Sequence, residues 1–193
     1  MAEKDIDVTV DVTLEEIYNG SRREVSYEKQ VLGLDGRTTK KQKASVSVYV
    51  KPGMQSSQKL KVRGEGNQQA KLPPTDLNIC FKLVPSAKGS NAARFERKAD
   101  NNLIYRHTLT LNDALQCRPI KMVTLDGRKL LVPVDQIPSP GSVKVLEGEG
   151  LVCHDDTAVS TLPSNEQRGD LYILFDIQFP RSLPGPEQRD KLI

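Results

Sequence analysis

Apolar and polar residues alternate along several short stretches, and this period of two is typical of β-strands with one buried face. The clearest case is residues 5–12, where the apolar side chains occupy the even positions. The same alternation recurs at residues 22–28, 45–50, 77–83, 103–109 and 171–179, with a lysine-rich connection between 28 and 45. Thr13 and Glu16 form a capping-box pattern that predicts a short helix over residues 14–19. The pattern predicts an all-β protein with short helices.

The chain contains one pattern twice. A short strand, a Gly-Glu-Gly turn, a polar loop and a strand opened by Asp-Leu occur within residues 60–84 and again within 143–179. Because the matching pieces keep their order, they predict two homologous β-sandwich-like domains of about 90 residues in tandem, each with one short helix. We place these domains at residues 1–98 and 99–180. Residues 181–193 contain a Pro- and Gly-rich hinge and then a pattern that predicts the start of a C-terminal helical tail.

The composition is that of an ordinary soluble protein, with 37% hydrophobic and 27% charged residues in a chain of 193. No stretch approaches the roughly 18 apolar residues that a membrane span needs, and the first residues do not resemble a signal peptide. The three cysteines are far apart and the histidines number two, so the sequence predicts neither a disulfide framework nor a metal site. We expect a cytoplasmic protein without a cofactor.

Positive charge is concentrated in the first half of the chain. Residues 29–63 carry nine lysines and arginines and a single acid, Asp35. This stretch predicts a basic face on the first domain. One function that it allows is nucleic-acid binding, but aromatic residues make up only 5% of the chain and the stretch itself contains only Tyr49. A stacking surface for single strands is therefore poorly supported, and a solvated face of the sheet is the other interpretation.

The run Cys153-His154-Asp155-Asp156 contains a possible nucleophile, a base and an acid, so a catalytic interpretation has to be considered. Catalytic triads are assembled from distant segments, however, and adjacent residues rarely converge on one point. A solvent-exposed loop between strands explains the run better. Gly64-Glu65-Gly66 places an acid where a phosphate-binding loop needs a donor. We therefore expect that the protein is not an enzyme.

Five apolar residues leave a choice open between core and binding surface. Val8, Val10, Val25 and Tyr27 fall on alternating strands that can lie side by side, and Phe95 is a large apolar residue in what the pattern predicts to be a loop. Periodicity alone fits plain core packing for all five. It also fits a surface that binds polypeptide.

Ten short motifs follow one another in a fixed order along nearly the whole chain. They are Leu14–Gly20, Lys51-Pro52-Gly53, Gly64-Glu65-Gly66, Asp76-Leu77, Phe95-x-Arg97, Leu103-Ile104-Tyr105, Leu111 with Ala114-Leu115, Leu125–Arg128, Arg168–Leu171 and Phe179-Pro180. In this order they resemble the C-terminal substrate-binding region of DnaJ-type J-domain cochaperones of the 40-kDa heat-shock class. The chain has no His-Pro-Asp motif of a J domain and no repeated Cys-x-x-Cys-x-Gly-x-Gly. The resemblance therefore implies a fragment, from the class without a zinc finger, that cannot itself stimulate a partner ATPase.

The resemblance also implies a function and two sets of site residues. It implies a cochaperone that binds unfolded or misfolded polypeptide in a hydrophobic groove on the first domain and delivers it to a 70-kDa heat-shock chaperone. The implied groove residues are Val8, Val10, Arg23, Val25, Tyr27 and Phe95. The acidic C-terminal tail of the 70-kDa chaperone is expected to dock on the same domain, with Lys29, Lys51, Lys59 and Lys61 as candidates. A homodimer through residues 181–193 is expected, and nucleic acid and membranes are not expected as partners.

Overall fold

The computed structural model describes residues 4–33, 38–55, 58–70, 72–153 and 167–180. These residues form eleven strands, two short α-helices and one 3₁₀ helix, which confirms the all-β prediction. They belong to two compact units, and the division between the units falls between Lys88 and Gly89. This division lies ten residues before the predicted domain boundary after residue 98, which stays a prediction.

The first unit contains a three-stranded sheet and a separate hairpin. Its elements are β1 (Ile6–Val12), α1 (Leu14–Asn19), β2 (Ser21–Leu32), β3 (Thr39–Val50), β4 (Lys59–Val62) and β5 (Leu77–Leu83). The sheet has the order β1-β5-β4, with β1 parallel and β4 antiparallel to β5, while β2 and β3 pair only with each other among the strands that the structure describes. The helix α1 begins after Thr13, whose hydroxyl accepts from the Glu16 N–H while the Glu16 carboxylate accepts from the Thr13 N–H. The predicted capping box is confirmed.

The second unit repeats this arrangement and adds one strand. Its elements are a 3₁₀ helix (Asn91–Arg94), β6 (Phe95–Arg97), β7 (Leu103–Thr110), α2 (Leu111–Leu115), β8 (Ile120–Val123), β9 (Lys129–Val132), β10 (Val143–Leu146) and β11 (Leu171–Gln178). The sheet has the order β10-β11-β7-β6, and β8 and β9 form a hairpin whose turn contains Asp126-Gly127. The additional strand is β6.

The repeat in the sequence is visible in the strand register. Ile6 lies opposite Leu77 in the first sheet, and Leu103 lies opposite Leu171 in the second. In both units the aspartate of the Asp-Leu pair accepts a hydrogen bond from the first glycine of Gly-Glu-Gly, at 2.9 Å in the first unit and 3.1 Å in the second. The same residues therefore close the same turn in both copies.

The core of each unit lies on one face of its sheet. Leu77 and Ile79 on β5, and Leu171 and Ile173 on β11, have no exposed surface. The second glycine of each Gly-Glu-Gly packs directly against the loop that leads into the next strand. A Cβ at Gly66 would lie 2.2 Å from the Thr75 hydroxyl and 2.7 Å from the Thr75 backbone, so no other residue fits there without backbone movement.

Two loop predictions are wrong in detail. The lysine-rich connection predicted before residue 45 is part of the hairpin, since β3 begins at Thr39. The loop predicted to contain Phe95 forms the 3₁₀ helix and β6. The predicted helical tail at 181–193 lies outside the described residues. Among the residues described, no helix is long and apolar enough to cross a membrane.

Candidate functional site

The strand β1 forms one edge of the first sheet and exposes part of its apolar face. Val12 at its end is buried, with 1% of its surface exposed, whereas Val8 and Val10 are half-buried. In the part of the chain that the structure describes, β1 pairs only with β5. The two predicted groove valines therefore lie on a strand edge that is open.

The backbone groups at this edge follow from strand geometry. Ile6 donates its N–H to the Asp76 carbonyl at 3.0 Å, so the even-numbered residues of β1 direct their backbone groups to β5. Alternate residues of a strand point to opposite sides. The N–H and C=O groups of Asp7, Thr9 and Asp11 therefore point away from the sheet, where an added strand can pair with them.

Two of the predicted groove residues on β2 are core residues. Val25 and Tyr27 are only 5% and 6% exposed, so their side chains pack inside the first unit. Arg23 on the same strand remains 43% exposed, and its guanidinium lies 2.7 Å from the Glu16 carboxylate at the start of α1. Of the three, only Arg23 presents a side chain to solvent.

Tyr27 belongs to a small polar cluster with Glu65 and Lys29. The Tyr27 hydroxyl donates to the Glu65 carbonyl at 2.8 Å and to the Glu65 carboxylate at 2.9 Å, and the Lys29 ammonium donates to the same carboxylate at 2.9 Å. The hydrogen bond from Lys29, followed by that from Tyr27, holds the pKa of Glu65 below its ordinary value. The hydrogen bond to Glu65 raises the pKa of Lys29, and burial followed by that carboxylate raises the pKa of Tyr27. The cluster ties the hairpin to the Gly-Glu-Gly turn.

Phe95 lies in the second unit. It is the first residue of β6, is 6% exposed, and packs its ring 4.8 Å from the ring of Tyr105. The prediction that Phe95 lies in a loop is therefore wrong, whereas its place at the edge of the groove stays a prediction. Single-sequence periodicity could not identify a strand of three residues.

The added strand β6 occupies an edge that corresponds to the open edge of β1. It pairs antiparallel with β7, with Phe95 opposite Tyr105 and Glu96 opposite Ile104. At the sequence offset of 97 between β1 and β7, Tyr105 corresponds to Val8 and Ile104 to Asp7. The second copy thus closes with its own chain the edge that the first copy leaves open.

The four lysines predicted to dock an acidic tail differ in whether carboxylates of this chain hold them. Lys29 is paired with Glu65, and the Lys61 ammonium lies 2.9 Å from Asp76 and 3.4 Å from Asp5. Lys51, which follows β3, and Lys59 on β4 are exposed and make no ion pair among the described residues. Half of the predicted set is therefore already neutralised by carboxylates.

Of the run Cys153-His154-Asp155-Asp156, the structure describes only Cys153. Cys153 is a half-buried free thiol, and residues 154–156 lie outside the described part. Among the described residues, no group of three or more His, Cys, Asp or Glu could hold a metal ion. The candidate site of the first unit is a strand edge beside a partly exposed apolar face.

Sequence reasoning missed two parts of this site. The outward-facing backbone of Asp7, Thr9 and Asp11 follows from the same alternation that identified β1, once β5 is known to be its only neighbour among the described strands. Glu65 gave no local signal, because its partners on β2 are 36 and 38 residues away in the chain.

The fold defines this chain as a duplicated all-β protein. A family model described as the DnaJ C terminal domain matches residues 6–180. The chain therefore belongs to the family of DnaJ C-terminal domains, as the motifs predicted.

Similar proteins carry DnaJ names. Human DnaJ homolog subfamily B member 13 is 30% identical over 183 residues, which are 94% of this chain and 52% of that protein. Human DnaJ homolog subfamily B member 5 is 31% identical over 181 residues, covering 94% of this chain and 47% of that protein. DnaJ protein homolog 1 of Allium porrum is 31% identical over 155 residues, covering 79% of this chain and 35% of that protein. The chain spans about half the length of the first two of these relatives.

Proposed function

We propose that this chain is the client-binding part of a J-domain cochaperone. Its first unit binds extended apolar segments of unfolded polypeptide along the open edge of β1, and the bound client passes to a 70-kDa heat-shock chaperone. Membership of the DnaJ C-terminal family supports the cochaperone role. The observation that carries the binding site is the open edge of β1, with Val8 and Val10 only half-buried beside it.

The second unit supplies a template for how a client lies on this edge. There β6 pairs antiparallel with β7 and places Phe95 opposite Tyr105, the residue that corresponds to Val8. A client strand with the same register runs antiparallel to β1 and places a large apolar side chain opposite Val8. Its backbone pairs with the outward groups of Asp7 and Thr9. Strand addition of this kind takes its affinity from main-chain hydrogen bonds and its selectivity from alternate side chains.

The expected affinity is modest. Burial of two client side chains contributes about 1.5 to 3 kcal/mol each, and each added hydrogen bond contributes about 1 kcal/mol. Association costs roughly 4 kcal/mol or more. The balance corresponds to micromolar or weaker binding, which suits a protein that holds and releases its clients. A homodimer through residues 181–193 raises this affinity through avidity without new contacts, and sedimentation of the chain measures whether that dimer forms.

Transfer to the 70-kDa chaperone involves its acidic C-terminal tail. Lys51 and Lys59 are exposed and support this part of the proposal, whereas Lys29 and Lys61 contribute less because carboxylates of this chain already hold them. The same neutralisation weakens the alternative of nucleic-acid binding through residues 29–63. A gel shift at physiological salt separates the two functions.

Thr9→Pro tests the edge directly. The Thr9 N–H points away from β5, so proline removes no hydrogen bond of the sheet but blocks an added strand. Lys59→Pro is the matched control, since Lys59 lies on the opposite edge of the same sheet. We expect Thr9→Pro to weaken suppression of aggregation of a denatured reporter enzyme at least tenfold in effective concentration, with Lys59→Pro close to the parent chain.

Equal activity of a folded Thr9→Pro protein would refute the proposed edge. Val10→Asp is a second variant for the same edge, since Val10 is half-buried and a carboxylate there reaches solvent. Tyr27→Asp is unsuitable, because Tyr27 is 6% exposed and a carboxylate at that position would be buried next to Glu65. Circular dichroism establishes that each variant is folded before its activity is compared.

A further inference from the structure

The edge strand β10 of the second unit carries exposed apolar residues. Val143 and Val145 are 49% and 44% exposed, and Ile137 beside them is 60% exposed. Among the described residues, β10 pairs only with β11. Edge strands in natural proteins are normally protected from pairing with other chains, most simply by lysines. The edge of β10 lacks that protection.

The first copy shows what a protected edge looks like at the same positions. At the offset of 84 between β4 and β10, Lys59 corresponds to Val143 and Lys61 to Val145. Lys59 lies opposite Cys80 and Val143 lies opposite Leu174, which correspond to each other in the two sheets. The duplicated strand therefore has lysine in one unit and valine in the other, at positions that face outward in both.

The backbone of β10 is oriented for pairing. Phe175 donates its N–H to the Ser142 carbonyl at 3.0 Å, so the even-numbered residues of β10 face β11. The N–H and C=O groups of Val143 and Val145 consequently point to the open edge. An added strand can form hydrogen bonds with both residues.

A cavity of about 500 Å³ lies beside this edge. Val143, Val145 and Phe175 line it together with polar residues, among them Asp135, Gln136 and Ser139. Alternate side chains of a strand added to β10 point toward this cavity or along the exposed face of the sheet. The cavity therefore provides room for one or two aliphatic side chains.

We propose that the β10 edge is a second docking site, for a short, uncharged, extended segment with aliphatic side chains at alternate positions. The Lys144 ammonium lies 2.9 Å from Asp135 and also donates to the Pro133 carbonyl, so the cation at this edge is neutralised and does not favour an acidic partner. The site is distinct from the β1 edge and does not depend on it.

A second copy of the chain fits this edge poorly. A strand of four residues spans about 13 Å. This is short for a stable interface between two copies, since such an interface buries roughly 800 Å² on each partner. Pairing of β10 with another β10 would also bring a second Lys144 to this edge. The dimensions and the charge favour a short segment.

The test uses a peptide with acetylated and amidated ends in which serine alternates with valine or isoleucine over seven residues. Binding to the 193-residue chain is followed by NMR at the N–H groups of Val143 and Val145, and separately at Thr9 for the β1 edge. We expect the two valine amides to shift and to become protected from exchange. A peptide of the same composition with its aliphatic residues adjacent to one another is expected to bind at least tenfold more weakly.

Val143→Lys/Val145→Lys recreates the lysines that the first copy carries and is expected to weaken binding at this site tenfold or more. Val123→Lys/Leu131→Lys is the control, because both residues are exposed apolar residues on the hairpin of the same unit. Unchanged binding by the first variant, or no protection of the two amides, would overturn the proposal. Concentration-dependent protection in the free chain would also overturn it, in favour of self-association. The Thr9 signal reports on the β1 edge independently.

Discussion

Replacing Glu65 with alanine removes the acceptor that holds both Tyr27 and Lys29. The hydroxyl and the ammonium each lie 2.9 Å from the same carboxylate oxygen, and the hydroxyl also reaches the backbone carbonyl at 2.8 Å. The Glu65 side chain is 43% exposed, so solvent screens both contacts. A hydrogen bond and a screened ion pair of this kind contribute about 1 kcal/mol and about 0.5 kcal/mol. We expect Glu65→Ala to destabilise the first unit by about 1 to 2 kcal/mol.

The assay has to report on the first unit alone, because a chain of two units need not unfold in one step. Urea titration followed through NMR signals of β2 amides meets this requirement. With a slope of about 1 to 3 kcal/mol per molar urea, the expected loss lowers the midpoint by roughly 0.5 to 1 M. Tyr27→Phe and the double variant complete a cycle that isolates the contact between the two side chains.

Glu24→Ala is the matched control, since Glu24 is an exposed carboxylate on β2, the strand of Tyr27 and Lys29, and makes no ion pair among the described residues. Its midpoint is expected to stay close to that of the parent chain. If Glu65→Ala and Glu24→Ala unfold at the same urea concentration, the cluster does not tie the hairpin to the turn, and the physical account of β2 is wrong.

Three further outcomes follow from the same contacts. Since the pKa of Glu65 is lowered and that of Lys29 raised, their contribution is fully present between about pH 5 and 10. The contribution is lost as the pH falls through the folded pKa of Glu65 or rises through that of Lys29. The free energy of unfolding of Glu65→Ala should therefore decrease less steeply toward acid pH than that of the parent chain. Gly66→Ala should destabilise the first unit more than Gly64→Ala, because Gly66 packs against Thr75 whereas Gly64 has open space around it. The substitution at Gly64 costs about 1 to 2 kcal/mol, since its φ of +73° is unfavourable for alanine. Equal midpoints in urea for the two variants would contradict this. Affinity for an acidic peptide should fall as salt rises above about 0.1 M, and a salt-independent titration would argue against docking on lysines.

Periodicity predicted most of the strands because one face of each sheet is buried. The alternation at residues 5–12 gave β1 and its two faces, and the repeated Asp-Leu strands gave the partners β5 and β11. The lysine-rich start of β3 escaped detection because its side chains are exposed and show no apolar alternation. Pairing with β2 through backbone hydrogen bonds extends that strand without any buried side chain.

The site was only partly predictable for a similar reason. The alternation at residues 5–12 placed Val8 and Val10 on one face of β1 but left the choice between core and binding surface open. The burial of Tyr27 and the neutralisation of Lys29 depend on Glu65, which is distant in the sequence and meets them only in the folded unit. Phe95 was misplaced because β6 consists of three residues and its pairing with β7 requires the tertiary fold.

Amide hydrogen exchange of the first unit, with and without a bound client peptide, tests the central claim most directly. If a client adds a strand to β1, exchange slows at Asp7, Thr9 and Asp11, whose N–H groups point to the open edge. The amides of Val8 and Val10 already face β5 and change little. Unaltered exchange at the three odd-numbered residues in a saturated complex would contradict the claim that the β1 edge receives the client.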